Sequence, residues 1–584
     1  MSQKENASKN DVVRHSLAHL LAAAVLKKFP KAQLGIGPVI ENGFYYDFKL
    51  PRPLTLEDLK EIEKTMREYI RMNLPMSGKK ITPVVAKRMF KSQPFKLDLI
   101  KDLAKEKKPM TAYSTGDIFT DLCKGGHVKN TKEINAEAFT LNKIAGAYWK
   151  GDEKKPQLQR IYGLAFETKK ELEDHLTFLE EAKKRDHKKL GPELDLFTFS
   201  DLVGPGLPLW TPKGTLLRET LDSFVWELRK KYGYQKVEIP HITKKDLYEK
   251  SGHWEKFKEE LFRIKTREGH EFAMKPMNCP HHTQIYARKQ WSYRELPQRY
   301  ANTTMCYRDE QTGELSGLAR VRSFTQDDAH VFCRMSQVEE EFLKVWDIIH
   351  EFYPAFGLKL KVRLSLHDPK QPEKYLGDKK KWKFVEDILR KIAKEKKADY
   401  FEGVGEAAFY GPKLDFMAYD SLGREWQVAT IQLDMNQPER FDLTCIDENG
   451  RPERIVMIHA AIMGSIERFL AVVIEHFAGA FPVWLSPIQA TILAVSDKFS
   501  PYAETVAQEL KNKNIRVELN DPNESLGKRI REAEMKKIPY ILVIGEKEET
   551  SKTVSIRHYH RGQEGALDLS EFLKKLESEI RRRE

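Results

Sequence analysis

One charged hairpin, from Thr304 to Cys333, constrains the fold of this chain more than any other segment. Two β-prone runs flank a polar, glycine-containing stretch at 311–317, and this pattern predicts an antiparallel pair of strands. In an ordinary hairpin, apolar and polar residues alternate and the arginines stay in water. Here arginines such as Arg308 and Arg320 are interleaved with β-branched and aromatic residues such as Phe324. Because guanidinium groups match phosphate oxygens and an aromatic face can stack on a base, the segment predicts a nucleotide-binding sheet surface.

Length and composition predict several globular domains. A chain of 584 residues is too long for one hydrophobic core, and 40% of its residues are hydrophobic. Apolar runs such as 20–26 are too short to cross a bilayer, and the polar residues 1–6 lack the apolar core of a signal peptide. We therefore expect a cytoplasmic protein without membrane contact.

The cysteine content indicates the redox state of the thiols, and the net charge indicates the class of binding partner. Five cysteines are few, scattered and odd in number, which argues for reduced thiols, some of them available as metal ligands. The net charge of +12 favours an acidic partner such as RNA.

Predicted helices and strands divide the chain into four parts. Residues 1–168 mix helices with strands and predict an α+β domain, and residues 169–190 predict one helical linker that continues to about Lys189. Residues 191–485 form a large central domain. In residues 486–584 strands and helices alternate, which predicts a small α/β domain with a mainly parallel sheet.

Two further segments accompany the hairpin in the central domain. Residues 229–240 predict a helix end, a turn and a strand that stops at a proline. Residues 464–476 begin with a Gly-Ser turn and continue as an apolar helix with Arg468 in its first turn. Taken singly, each pattern is most often an ordinary structural element. In this order, with Arg-x-Glu at 308–310, they resemble motifs 1, 2 and 3 of class II aminoacyl-tRNA synthetases.

Within that class, four blocks resemble the threonyl-tRNA synthetase family, at residues 274–281, 319–330, 408–413 and 457–468. The resemblance extends over nearly the whole chain. It implies a catalytic domain with a central antiparallel sheet, an N-terminal editing domain and a C-terminal anticodon-binding domain. It also implies tRNA(Thr), ATP and L-threonine as partners, and a homodimer formed through the strand that ends at Pro240.

Amino-acid activation builds charge on phosphate groups and needs no protein nucleophile, so positioning and electrostatic stabilisation should dominate. The resemblance implies that Arg308 contacts the α-phosphate and the amino-acid carboxylate, and that Mg²⁺ accompanies ATP. It implies that His253 assists deprotonation of the ribose hydroxyl at the tRNA 3′ end. The remaining ATP-site residues implied by the resemblance are Glu310, Arg320, Phe324, Gln432, Ser465 and Arg468.

Spacing alone does not join Cys279, His330 and His459 into a metal site, because no zinc-finger pattern links them. A buried cysteine and two hydrogen-bonded histidines are the simpler interpretation of the residues. The resemblance implies that these three residues bind one Zn²⁺ per subunit and leave a coordination position open. Threonine would fill that position with its amino and hydroxyl groups, whereas valine has no hydroxyl. The resemblance adds Gln326, Asp328 and Tyr410 as contacts to the substrate.

The N-terminal region carries two polar pairs, His15 with His19 and Cys123 with His127. Each spacing of four places both side chains on one face of a helix, or close together in a turn. Two unrelated pairs and a His-His-Cys-His metal site remain open from the residues alone, whereas a zinc protease is unsupported because serine follows His15. The resemblance implies an editing pocket that hydrolyses mischarged seryl-tRNA with a positioned water, without metal, and that also contains Lys96 and Asp121.

The chain departs from the family pattern at several positions. Gly126 stands where proline is usual before His127, Ser525 where lysine is usual, and Val428 where bacterial relatives often carry cysteine. A small ubiquitin-like domain that commonly precedes the editing domain is not part of this sequence. The residues that the resemblance implies for anticodon contacts are Asn523, Glu548 and Arg557.

Two other hypotheses remain from different classes. One is a non-catalytic relative that binds tRNA or an amino acid as a regulator, although such a protein is expected to lose Arg308 or Arg468, and both are present. The other is a zinc hydrolase that acts on RNA through the N-terminal motifs and uses the rest of the chain as an RNA-binding scaffold.

Overall fold

The computed structural model describes residues 8–152, 154–376 and 379–584. The polar segment 1–6 lies outside the described residues. The chain divides into two compact units, one up to Glu180 and one from Glu181 to Glu584. Each unit is described separately.

The first unit contains two antiparallel sheets and a buried helix. The strand orders are β1-β3-β8-β7, with β2 paired to β3, and β4-β5-β6. Its helices are α1 (Lys9–Lys28), α2 (Leu56–Arg71), α3 (Pro83–Met89), α4 (Pro94–Lys105) and the first part of α5 (Lys169–Arg185). Its strands are β1 (Gln33–Leu34), β2 (Val39–Ile40), β3 (Gly43–Lys49), β4 (Met76–Ile81), β5 (Met110–Thr115), β6 (Phe119–Leu122), β7 (Phe139–Tyr148) and β8 (Gln157–Ala165).

Helix α1 positions the two N-terminal histidines. Ser8 and Asp11 form a capping box at its start, with the Asp11 amide donating to Ser8 Oγ over 3.1 Å. Residues 17–25 are buried almost without exception, so the helix lies inside the unit rather than on its surface. His15 and His19 therefore project from a rigid, buried helix.

The linker helix is shorter than the sequence predicts. Helix α5 ends at Arg185, and α6 (His187–Glu193) starts after Asp186, whose carboxylate accepts the Lys188 amide over 2.9 Å. The prediction of one helix to about Lys189 is wrong because Asp186 caps a second helix.

The centre of the second unit is an eight-stranded sheet in the order β11-β16-β17-β24-β21-β20-β18-β19. The pairs β11–β16 and β18–β19 are parallel, and the other neighbours are antiparallel. The helices of this region are α6, α7 (Pro212–Lys231), α8 (Lys245–Ser251), α9 (His253–Lys256), α10 (Cys279–Tyr286), α11 (Val338–Phe352), α12 (Lys379–Glu395), α13 (Asn436–Arg440) and α14 (Ile466–His476). The strands are β9 (Phe197–Thr198), β10 (Leu209–Trp210), β11 (Gln235–Lys236), β12 (Ile242–Lys244), β13 (Arg263–Lys265), β14 (Glu271–Met274), β15 (Trp291–Ser292), β16 (Gln298–Tyr307), β17 (Ser323–Cys333), β18 (Lys359–Leu366), β19 (Tyr400–Val404), β20 (Lys413–Tyr419), β21 (Glu425–Asp434), β22 (Thr444–Ile446), β23 (Pro452–Arg454) and β24 (Val456–Ala461).

The predicted hairpin forms the middle of this sheet. Strands β16 and β17 pair antiparallel from Gln298–Phe332 to Tyr307–Ser323, and residues 308–322 form the loop between them. Residues at the far end of β17 are fully buried against β24, whereas Phe324 and Gln326 near the loop are only half-buried. One strand therefore extends from an open loop into the core.

The C-terminal region adds strands that the sequence analysis did not predict. Its sheet has the order β26-β25-β27-β28-β29, and only β26, β25 and β27 are parallel to one another. Its helices are α15 (Ser500–Asn512), α16 (Leu526–Met535), α17 (Glu546–Ser551) and α18 (Leu569–Arg582), and its strands are β25 (Ala490–Ala494), β26 (Val517–Asn520), β27 (Tyr540–Ile544), β28 (Thr553–His558) and β29 (Gly562–Asp568).

Candidate functional site

The loop after β16 places Arg308 between two aromatic rings. The Arg308 guanidinium lies 5.2 Å from the Phe324 ring centroid and 5.6 Å from that of Phe257. The Arg308 amide donates to the Arg322 carbonyl over 2.9 Å, which fixes the base of the loop. The Arg308 Nε is buried and has no hydrogen-bond partner among the described residues. A buried donor of this kind suits an anionic ligand.

Glu310 and Arg320 form an ion pair beside Arg308. The Arg320 Nε donates to Glu310 Oε2 over 2.8 Å, and its Nη2 donates to Glu314 Oε2 over 3.0 Å. Glu310 is buried, whereas Arg320 is exposed. Arg322 donates to the Glu310 carbonyl over 2.9 Å. The buried Glu310 carboxylate therefore anchors the long side chain of Arg320, while that side chain stays exposed to solvent.

The start of α14 lies next to β17. Ser465 caps the helix, and its Oγ accepts the Arg468 amide over 3.2 Å. An isolated antiparallel bridge joins Gln326 to Ser465, and the Asp327 amide donates to the Gly464 carbonyl over 2.9 Å. These contacts bring Ser465 and the exposed Arg468 to the same edge as Phe324. A helix N-terminus at this edge adds backbone donors for an anion.

Cys279, His330 and His459 converge within the core. One donor atom from each lies within 4.8 Å of the others, and all three residues are buried. His330 Nε2 lies 3.0 Å from His459 Nδ1. Burial raises the pKa of the Cys279 thiol well above its usual range and lowers the pKa of His330 well below its usual range. Neutral imidazoles are the form that binds a metal, and a bound cation would favour the thiolate.

The residues around this cluster suit a metal ion. His459 Nε2 lies 3.1 Å from Asp434 Oδ2, so it donates to that carboxylate, and the lone pair on Nδ1, which faces His330 Nε2, is the one that would bind a metal. Asp434 is itself held by the amides of Asn436 (2.7 Å) and Gln437 (3.0 Å). Two imidazoles and one thiol match the ligand set of zinc sites that keep an open position.

Two of the three predicted threonine contacts, Asp328 and Tyr410, lie beside the cluster, and Gln326 lies four residues before His330 on β17. Asp328 accepts the Asn278 amide group over 3.0 Å, and Tyr410 donates to Gln432 Oε1 over 3.1 Å. The Tyr410 ring centroid lies 5.2 Å from that of His459. Gln432 is thus positioned beside the metal-ligand cluster, next to the predicted threonine contact Tyr410.

His253 lies beside Cys279. Its Nε2 is 3.6 Å from Cys279 Sγ and its Nδ1 is 2.8 Å from Ser251 Oγ. Burial lowers the pKa of His253 to about 4, so the ring is neutral at pH 7.

Lys275 is a buried residue next to the predicted site that the sequence analysis missed, since its partner Asn278 also donates to Asp328. It is fully buried, and its Nζ donates to Asn278 Oδ1 over 2.8 Å and to Thr304 Oγ1 over 3.0 Å. Burial lowers its pKa. The signal was present, because a lysine among methionine and proline at 274–277 is unusual for a surface segment.

The four N-terminal groups form a second cluster in the first unit. One donor atom each from His15, His19, Cys123 and His127 lies within 4.8 Å of the others. Cys123 Sγ lies 3.4 Å from His15 Nε2 and 3.1 Å from His127 Nε2. Burial lowers the pKa of His127 to about 2 and raises that of Cys123 to about 11. The two sequence pairs therefore meet in one half-buried, uncharged pocket.

A buried ion pair borders this pocket. Lys96 Nζ lies 2.5 Å from Asp121 Oδ1, and the Tyr46 hydroxyl donates to Asp121 Oδ2 over 2.5 Å. The sequence analysis did not single out Tyr46, although the aromatic alternation of β3 could have indicated it. All three side chains are buried, so they fix the pocket wall.

Two of the three departures from the family pattern, Gly126 and Ser525, have local explanations, and nothing in the structure explains Val428. Gly126 has φ +87°, which proline cannot adopt, so the turn before His127 requires the glycine found here. Ser525 caps α16, where its Oγ accepts the Lys528 amide over 3.4 Å. Val428 is buried in the main core of the second unit.

The three predicted anticodon residues occupy different settings in the C-terminal region. Asn523 is exposed in the loop before α16. Glu548 accepts the Gly545 amide over 3.0 Å as part of a helix cap. Arg557 on β28 donates to Glu534 over 2.7 Å.

Known proteins match this chain along most of its length. A threonine–tRNA ligase from Gloeobacter violaceus is 49% identical over 582 residues, which cover 98% of this chain and 92% of that protein. The chain belongs to the threonine–tRNA ligase family. A threonine–tRNA ligase from Thermosynechococcus vestitus is 48% identical over 97% of this chain and 94% of its own length. The RNA binding domain of threonyl-tRNA synthetase from Cryptosporidium parvum superposes with a TM-score of 0.63 at 38% identity, covering 68% of this chain and 98% of that structure.

Three family models agree with this membership. Residues 262–477 match the tRNA synthetase class II core domain for G, H, P, S and T, and residues 489–579 match the anticodon binding domain. Residues 110–162 match the second additional domain of threonyl and alanyl tRNA synthetases. The predicted fold class and the predicted threonine–tRNA ligase activity with an N-terminal editing domain are thereby confirmed.

Among residues 8–152, 154–376 and 379–584, no helix combines the length and apolar character needed to span a bilayer.

Proposed function

We propose that this protein activates L-threonine with ATP, transfers it to the 3′ end of tRNA(Thr), and hydrolyses mischarged seryl-tRNA(Thr) in its N-terminal unit. One observation carries the proposal: strand β17 joins the Arg308–Phe324 clamp at one end to His330 of the metal-ligand cluster at the other. The domain assignment that goes with it is an editing domain at 1–168, a linker at 169–190, a catalytic domain at 191–485 and an anticodon-binding domain at 486–584.

Activation joins the threonine carboxylate to the α-phosphorus of ATP and releases pyrophosphate. Arg308, with its unpaired buried Nε, is suited to neutralise the α-phosphate and the carboxylate as they approach. Phe324 offers its ring to adenine, and Glu310 the buried acceptor at the adenine end. Arg320, Arg468 and the Ser465 helix cap hold the outer phosphates, and Gln432 completes the nucleotide site. Mg²⁺ accompanies ATP in this scheme.

Selection of threonine rests on the metal-ligand cluster. Cys279, His330 and His459 would hold the zinc ion, and when bound the ion would supply a Lewis acid for the substrate's amino and hydroxyl groups. Asp328, Gln326 and Tyr410 orient those groups by hydrogen bonds. A site built around the hydroxyl rejects valine by about 10⁴-fold, which an apolar pocket alone does not achieve. His253, neutral and next to Cys279, is assigned to deprotonation of the tRNA ribose hydroxyl.

Serine carries the same hydroxyl and is smaller, so a second site is needed to remove it. His15, His19, Cys123 and His127 are proposed to hold a hydrolytic water and the seryl ester, with Lys96 and Asp121 fixing the pocket. The metal-free form of this pocket is proposed from the family resemblance, because the four donor atoms, which lie within 4.8 Å of one another, are also close enough to hold an ion.

Three further features belong to the proposal. Asn523, Glu548 and Arg557 are assigned to anticodon contacts, in line with the net charge of +12. A homodimer through β11 and the segment to Pro240 is proposed from the class II resemblance. Five free cysteines support a reducing compartment such as the cytoplasm.

Threonine-dependent exchange of pyrophosphate into ATP tests this function. The purified protein with Mg²⁺ should exchange label rapidly with threonine, more weakly with serine, and with valine about 10⁴-fold less efficiently than with threonine. If threonine-dependent exchange is absent, the proposed function is wrong, and the two alternative hypotheses remain: a non-catalytic tRNA-binding regulator and an RNA hydrolase. Those two are separated by hydrolysis of RNA that carries no amino acid.

A further inference from the structure

His187 links the two elements that surround the proposed phosphate site. It is the first residue of α6 and is almost completely buried. Its Nδ1 lies 2.6 Å from Glu475 Oε1, and its Nε2 lies 3.0 Å from the Leu318 amide nitrogen. An amide N–H can only donate, so Nε2 is the acceptor and the ring proton resides on Nδ1, which donates to Glu475.

Leu318 belongs to the loop that carries the ATP-site residues. It lies between Glu310 and Arg320, and its side chain is fully buried in the main core. A bridge between Ser316 and Arg320 closes the backbone around it. The contact is close, since a Cβ at the neighbouring Gly317 would lie only 2.3 Å from His187 Nε2. The loop backbone therefore rests directly on the imidazole.

Glu475 belongs to the helix whose first turn carries Arg468. It lies near the end of α14, accepts the His187 amide over 3.1 Å, and pairs with Arg424 Nη2 over 2.7 Å. Arg185, two residues before His187, donates to the His476 carbonyl over 3.0 Å. Hydrogen bonds therefore join residues 185–187 to α14. The opposite edge of the His187 ring accepts a hydrogen bond from the loop.

A metal is an alternative interpretation, because Asp186, His187 and Glu475 lie within 4.8 Å of one another. Both ring nitrogens of His187 are already engaged, and Asp186 Oδ1 accepts the Lys188 amide as a helix cap. No lone pair of His187 remains for a cation.

We propose that His187 is a positioning residue for ATP: by accepting the Leu318 N–H while bound to Glu475, it sets the loop 308–322 relative to α14. This inference rests on the proposed role of that loop in binding ATP. His187 itself contacts no substrate in this scheme. His187 lies within the linker segment 169–190, at the start of α6.

Two matched substitutions test the hydrogen bonds of the two His187 ring nitrogens one at a time. The Asn side chain places its amide near the His Nδ1 position, so His187→Asn keeps a donor for Glu475 and removes the acceptor for Leu318. The Gln side chain reaches the Nε2 position, so His187→Gln keeps the acceptor and removes the Nδ1 donor. The experiment measures pyrophosphate exchange in two series. ATP is varied at saturating threonine to give the KM for ATP, and threonine is varied at saturating ATP to give the KM for threonine.

His187→Asn should raise the KM for ATP about tenfold, the size expected for a buried amide left without its acceptor, and leave the KM for threonine unchanged. His187→Gln should stay within about twofold of the original protein for both substrates, because the backbone amide of residue 187 still donates to Glu475 and keeps the link to α14. Equal KM values for ATP in the two variants would overturn the proposal, as would a fall in kcat with both KM values unchanged, which marks loss of folded protein. Threonine-dependent exchange by the unmodified protein establishes the proposed function independently of these results.

Discussion

Replacing Cys279 with serine should leave the purified protein without zinc and abolish threonine-dependent pyrophosphate exchange. A serine hydroxyl is far less acidic than a thiol and does not replace thiolate as a zinc ligand in such sites. Only His330 and His459 would remain, and two imidazoles hold zinc much more weakly than three ligands. Without the metal, the substrate hydroxyl has no partner that distinguishes it from a methyl group. We expect the exchange rate to fall by about 10³-fold or more.

The chain offers a matched control for this experiment. Cys123 lies in a similar group of three histidines in the first unit. Cys123→Ser should keep one zinc per chain and normal threonine activation, because that cluster is proposed to work without metal. Metal content by mass spectrometry and exchange kinetics measure both variants. Two zinc ions per chain, or one ion lost with Cys123 rather than Cys279, would contradict the assignment.

Replacing both His15 and His19 with alanine should let seryl-tRNA(Thr) accumulate. Both rings lie in the pocket with His127, with centroid distances to it of 4.1 Å, so their loss removes the groups that hold water and ester. Misplacing a reacting water by about 1 Å costs about 10²-fold in rate, and removal of two side chains should cost at least that much. Hydrolysis of preformed seryl-tRNA(Thr) is the measurement, with threonine activation as the check that the second unit is intact.

His175→Ala is the control for this double variant. His175 lies in the same unit but packs on Phe166 at 4.9 Å, as part of α5. Its loss should leave deacylation unchanged. Deacylation at the original rate by the His15→Ala, His19→Ala protein would reject the editing assignment.

The hairpin and the site blocks were predictable because their chemistry is local. Arginines among β-branched residues, a polar turn and a Gly-Ser helix start each carry their signal within a few residues. The antiparallel pairing of β16 with β17 confirms that reasoning.

The metal-ligand cluster was not predictable from spacing. Cys279 starts a helix, whereas His330 and His459 face each other across paired strands β17 and β24. Such a contact depends on the register of two strands distant in sequence, which no local pattern specifies. The resemblance to the family supplied what spacing could not.

The other features that the sequence analysis predicted wrongly or overlooked have identifiable physical causes. A helical pattern continued past Asp186, but its carboxylate caps a new helix instead. Strands β28 and β29 were overlooked because β29 contains Gly562, Gly565 and charged residues, a composition that weakens the strand signal. Buried Lys275 and Tyr46 act through contacts that only the folded chain reveals.

Zinc titration of pyrophosphate exchange tests most directly that one hairpin joins ATP binding to metal-based choice of threonine. The zinc-stripped protein should show almost no threonine-dependent exchange, and activity should return in proportion to added zinc until one ion per chain is bound. With one zinc ion bound per chain, valine should be about 10⁴-fold less efficient than threonine. Full threonine-dependent exchange by the zinc-free protein would contradict the account.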